Sequence, residues 1–172
     1  MRVMRSVLVG CGKPLEGRCD DPKWCGVAGF RPCRKCEACR RYDEWFWSSR
    51  ARLEAIGVRT LFATYTFRPR GDKWLPSDAE VWPDIRNMFK RMRINGLRFR
   101  YFCAAEFGDE FGRHHYHVLF HGDIKVRQCR SYWRQGISHA RLARKEDFEY
   151  VAKYACKQAG RKRASVAYGR GS

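Results

Sequence analysis

The sequence predicts an α+β fold, a central antiparallel sheet with helices packed on it, preceded by an N-terminal cysteine-rich lobe. Three observations predict it. From residue 40 onward, helical and strand periods alternate in the order helix, strand, helix, strand–strand, strand, helix, the layer pattern of an antiparallel sheet flanked by helices. Residues 1–39 show no sustained period and are rich in Cys, Gly and Pro, which marks a loop-dominated lobe. The whole chain has 172 residues, so 40–172 is expected to form one compact unit with a sizeable core.

The elements follow in order. "RRYDEWFWSSRARLEAI" (40–56) predicts a helix, with Tyr42, Phe46, Ser49, Leu53 and Ile56 at helical spacing and Gly57 as its stop. "VRTLFATYTF" (58–67) is β-branched and aromatic-rich, a buried strand. Ser77 and Glu80 form a capping-box pattern ahead of a stripe of Ile85, Met88, Phe89 and Met92 that ends at Gly96. Pro83 suits that start poorly, so the regular helix is expected to begin only there. "LRFRYFCAAEF" (97–107) and "HHYHVLFHG" (114–122) form a hairpin, a further strand lies near 136–142, and 145–157 is a helix. The tail from Gln158 is expected to be irregular.

Lys and Arg total 36 against 18 Asp and Glu, a formal net charge of +18. Such an excess attracts polyanions, and nucleic acid is the first candidate. Aromatic residues, 15% of the chain, offer stacking surfaces for unpaired bases, which favours single-stranded nucleic acid over a membrane surface. No apolar run approaches the ~18–20 residues of a spanning helix, so no membrane partner is expected. The nine cysteines are then expected in a reducing cytoplasm, where they serve metals rather than disulfides. Cys33, Cys36 and Cys39 form C-x-x-C-x-x-C, suited to structural Zn²⁺ with a fourth ligand from an upstream cysteine, taken as Cys25. An iron–sulfur cluster is the alternative, though the C-x₃-C-P continuation is missing. Cys103, Cys129 and Cys156 read as small core residues.

Four of the five histidines fall within 114–121. Residues two apart on a strand share a face, so His115 and His117 project together while Tyr116 points into the packed side. In a hairpin centred between Glu110 and Phe111, Glu106 falls opposite His115. Glu106, His115 and His117 therefore form a candidate three-ligand cluster for Mg²⁺, Mn²⁺ or Zn²⁺ with positions left open for a substrate oxygen. His114 belongs to the apolar face, and His121, ~13 Å further along, is expected to meet solvent or DNA. On the last helix Tyr150 and Tyr154, four apart, lie side by side, with Lys153 and Lys157 close in sequence. A phenol near cations is a candidate nucleophile.

The ordered set "EFGDEFGRHHYHVLFHG" and "YVAKYACK" on a strongly basic chain resembles the HUH endonucleases, and most closely the rolling-circle replication initiators of microviruses, small single-stranded DNA phages. "TLFATYTF" resembles their first strand motif, and "CGKP" and "CRKCEACRRYDEWFWSSRARLE" their early cysteine-rich segments. Position 114 is His where that family commonly has Pro, and relatives usually continue further, so a minimal or truncated catalytic domain is expected. The resemblance implies that residues 40–172 are an HUH endonuclease domain and 1–39 a zinc-stapled lobe. It implies Mg²⁺ or Mn²⁺ on Glu106, His115 and His117, attack by Tyr150 or Tyr154 on single-stranded origin DNA, and charge stabilisation by Lys153 or Lys157. Arg113, Arg161, Lys162 and Arg163 would contact phosphates. A host helicase and polymerase would be partners, in a bacterial cytoplasm. The competing readings are a non-catalytic zinc-stapled nucleic-acid-binding protein, and a transposase or relaxase with the same chemistry.

Overall fold

The computed structural model describes residues 15–16, 30–31, 37–68, 78–107, 114–157 and 162–165, with only the backbone at 15–16, 30–31, 78–79 and 162–163. The chain divides into two compact units, Met1–Phe46 and Trp47–Ser172. In the first, β1 (Leu15–Glu16) and β2 (Phe30–Arg31) pair antiparallel. Helix α1 (Glu37–Glu54) carries the chain into the second unit.

There, a five-stranded antiparallel sheet is built from β3 (Thr60–Thr66), β4 (Arg100–Phe107), β5 (His114–His121), β6 (Ser138–Leu142) and β7 (Lys162–Ala164). Its strand order is β6-β3-β5-β4-β7. Helices α2 (Asp78–Ile94), α3 (Val126–Ser131) and α4 (Lys145–Lys157) complete the unit. This is the expected α+β architecture, and α4 has the predicted bounds.

Alternation along the strands gives the sheet two packed faces. On one, Leu61, Ala63, Tyr65, Val118, Phe120 and Cys103 are buried with the α2 stripe of Ile85, Met88, Phe89 and Met92 and with Cys129 of α3. Tyr116 belongs here at 1% exposure, the anchor the sequence indicated. On the other face, Phe62, Phe102, Ala104 and Leu119 pack with Ala51 of α1 and with Phe148, Val151, Ala152 and Ala155 of α4. The indole of Trp47 stacks on Phe102 at 5.2 Å and 9°.

Four expectations are corrected. The tail is not wholly irregular: Lys162–Ala164 adds to the edge of β4, with Phe102 opposite Ala164. Helix α2 begins at Asp78, five residues before Pro83. A proline near a helix start forfeits one intrahelical bond, and burial of Val81 and Ile85 on either side of it outweighs that loss. His121 is 3% exposed, so it meets neither solvent nor an approaching strand directly. Cys156 is only partly buried, unlike Cys103 and Cys129.

Candidate active site

The hairpin places Glu106 opposite His115 and Ala104 opposite His117, the register read from the sequence. All four side chains therefore share the face that α4 covers. Within it, His117 meets Glu106 through Nε2 and Oε2. Its Nδ1 is hydrogen-bonded to Thr64 Oγ1 at 3.1 Å, across the β3–β5 ladder where Thr64 and His117 are partners. The ring of Phe62 lies parallel to the imidazole, 5.7 Å between centroids. His117 is thus fixed in position, in plane and in the nitrogen it turns toward Glu106.

Helix α4 brings the tyrosines onto this pair. Tyr150 donates its hydroxyl to Glu106 Oε2 at 3.2 Å and sets its ring edge against His117, 5.0 Å between centroids. Tyr154, one turn on, lies 4.7 Å from the ring of Tyr150 and 5.8 Å from that of His117. Both phenols face the carboxylate because Val151, Ala152 and Ala155, interleaved with them, bury the helix on the sheet. The start of α4 is pinned as well. Arg141 of β6 grips Asp147 with two bonds of 2.6 and 2.7 Å, and Asp147 accepts the Arg144 backbone N–H at 2.6 Å. Arg141 also lies over the Phe62 ring, 4.9 Å from its centre, linking the helix anchor to the platform under His117.

Electrostatics follow from these contacts. Burial pushes the Glu106 carboxyl up, but hydrogen bonds from His117, Tyr154 and Tyr150 and the His117 charge outweigh it, so its pKa lies below the ordinary value. Tyr150 is raised well above the usual phenol range, first by burial and then by the negative charge of Glu106. It is a protonated donor at neutral pH. Lys157 holds its ammonium 5.8 Å from the centre of the Tyr154 ring. Lys153 is exposed on α4.

The structure thus brings together Glu106, His117, Tyr150, Tyr154 and Lys157. The His115 ring stands beside them, 6.4 Å from that of His117. Among the described residues, no three His, Cys, Asp or Glu side chains converge as a ready metal site. The donor chemistry nevertheless suits a hard divalent cation. A carboxylate faces an imidazole Nε2 whose Nδ1 already has a partner, the arrangement that orients a histidine ligand. Cys25, Cys33, Cys36, Arg113 and Arg161 lie outside the described residues, as do the side chains of Lys162 and Arg163. Cys39 is buried.

Thr64, Phe62, Arg141 and Asp147 were not anticipated. Parity along β3 puts Phe62 and Thr64 on one face, a signal in the sequence, but only the β3–β5 register says which histidine Thr64 meets.

Residues 60–159 match the family model of the ORF2-type replication-associated proteins. No curated protein matches the chain. No solved structure matches it. The matched segment runs from β3 to just past α4 and so contains every residue of the cluster.

Proposed function

The chain belongs to the ORF2-type replication-associated protein family, and we propose that within it the protein is a metal-dependent endonuclease of the HUH type. It would nick and rejoin single-stranded origin DNA to initiate rolling-circle replication. The observation that carries this reading is the Tyr150 hydroxyl on Glu106, the same carboxylate that meets His117, with Tyr154 beside it.

Glu106, His115 and His117 would hold Mg²⁺ or Mn²⁺, which when bound supplies Lewis-acid polarisation of the scissile phosphate. The chain's own residues do the rest. A tyrosine oxygen attacks phosphorus in line, the P–O3′ bond breaks, and the departing oxygen takes a proton to leave a free 3′-OH. The phenol's proton passes to water, and the product is a 5′-phosphotyrosine. Glu106 opposes ionisation of Tyr150, whereas the Lys157 ammonium stands over Tyr154 to offset charge on its oxygen. Tyr154 is therefore the better-supported first nucleophile. Tyr150, within one turn, is placed to receive the strand at the end of a round. The 3′-OH suits extension by a host polymerase.

The test is one gel of labelled single-stranded DNA. Wild type with Mn²⁺ should give a covalent protein–DNA adduct that chelator abolishes. The double substitution Tyr150→Phe, Tyr154→Phe should lose the adduct and keep DNA binding within about twofold. An adduct persisting in the double variant sinks the tyrosine assignment. Binding with no adduct under any divalent ion leaves a non-catalytic nucleic-acid-binding protein.

A further inference from the structure

At the other end of the same hairpin, where Arg100 pairs with His121, lies a cleft of about 430 Å³. It is lined by Arg93, Leu97, Arg98, Phe99, Arg100 and His121, a set with three guanidinium groups and no carboxylate. Six residues of β4 separate Arg100 from Glu106, so the cleft stands ~20 Å from the tyrosine cluster.

Its parts are held in place. The Arg93 guanidinium lies over Phe99 at 4.6 Å and Tyr101 at 5.7 Å, which fixes a charge on a rigid aromatic surface. Arg100 is oriented by Glu54, Nε to Oε2 at 2.9 Å. His121 is oriented by its Nδ1 contact with Thr60 Oγ1 at 3.0 Å. Gly122, at φ 142°, lets the chain leaving β5 pass against the floor: a Cβ there would stand 2.6 Å from the Arg98 carbonyl oxygen and 3.2 Å from Phe99 Cα.

Planar guanidinium forks match phosphate oxygens with paired hydrogen bonds. Arg98 and Arg100 lie two apart in sequence, so their side chains are spaced by ~7 Å, and Arg93 adds a third charge from α2. That spacing suits successive phosphates of a strand better than one isolated anion. We propose that this cleft is a second nucleic-acid site, in which Arg93, Arg98 and Arg100 grip the backbone phosphates of a single DNA strand away from the tyrosines. The proposal does not depend on the cutting chemistry, because it concerns binding alone.

The experiment uses the full chain without divalent metal and a short fluorescein-labelled oligothymidylate. Arg93 and Arg98 are both exposed, so Arg93→Ala with Arg98→Ala should fold, as thermal melting will verify. Affinity should fall roughly tenfold, and the log–log salt slope by about 1.4, from two contacts at ~0.7 each. Arg98→Gln alone should show about half that slope change. A control removing equal charge from α3, Arg127→Ala with Arg130→Ala, should change affinity less than about twofold. The oligonucleotide should also shift the His121 imidazole resonances in wild type and not in the Arg93/Arg98 variant. Equal losses in the two double variants, or an unmoved His121, overturn the proposal. If a deoxynucleoside triphosphate shifts His121 and the oligonucleotide does not, the occupant is a free nucleotide and the DNA assignment is wrong.

Discussion

The hydroxyl of Thr64 engages Nδ1 of His117, and that one hydrogen bond helps set which nitrogen faces Glu106. Groups behind a ligating or reacting imidazole fix its ring and tautomer, and their loss typically lowers activity or metal affinity ~10–100-fold. Thr64→Val keeps the shape and removes the bond. Metal-dependent nicking should then drop by roughly that factor while DNA binding holds, measured as adduct formation against oligonucleotide affinity. His121 carries a different consequence. Burial, reinforced by the Arg100 charge, lowers its pKa from 6.5 to about 4. The fold prefers the neutral ring, so between those values the unfolded chain binds a proton that folded His121 refuses. Its stabilisation is complete above pH 6.5 and is lost as pH falls toward 4, about 3 kcal/mol in all. Urea unfolding at both ends of that window should show the loss in wild type and a much flatter response in His121→Gln. At this scale parity was legible: Glu106, His115 and His117 fall on one face as alternation requires. What covers each residue was not, which is why His121 was misjudged.

Helix α4 depends on a clamp at its start. Asp147, 6% exposed, takes two bonds from Arg141 and one from the Arg144 N–H. Asp147→Ala removes the cap and leaves a partly exposed arginine without its carboxylate. The expected loss is about 2 kcal/mol, read from the shift in denaturation midpoint at unchanged m. Adduct formation should fall with it, because the same helix carries both tyrosines. Helix α4 was legible from end to end because its apolar stripe, acidic first turn and basic last turn agree. The short α3 was missed, since six residues hold too few apolar positions to show a period. Strand β7 was missed for a related reason. "KRA" carries no alternation of its own, and its pairing is set by the edge that β4 offers.

For the molecule as a whole, the net charge of +18 governs association more than fold. If six or more phosphates are neutralised, affinity for single-stranded DNA should fall by roughly a hundredfold or more between about 50 and 200 mM salt. A binding curve flat in salt would contradict a phosphate-dominated interface. The described residues contain no helix long and apolar enough to cross a membrane. The sequence by itself determined the α+β order, the hairpin register and the residues that share the Glu106 face, because strand and helix periods are local properties of the chain. Tertiary structure alone decided that Thr64 backs His117, that Arg141 and Asp147 clamp the tyrosine helix, and that a cluster of arginines gathers at the far end of the sheet. Those contacts join residues distant in sequence, and only the pairing of β3 with β5 and the docking of α4 bring them within a bond's reach.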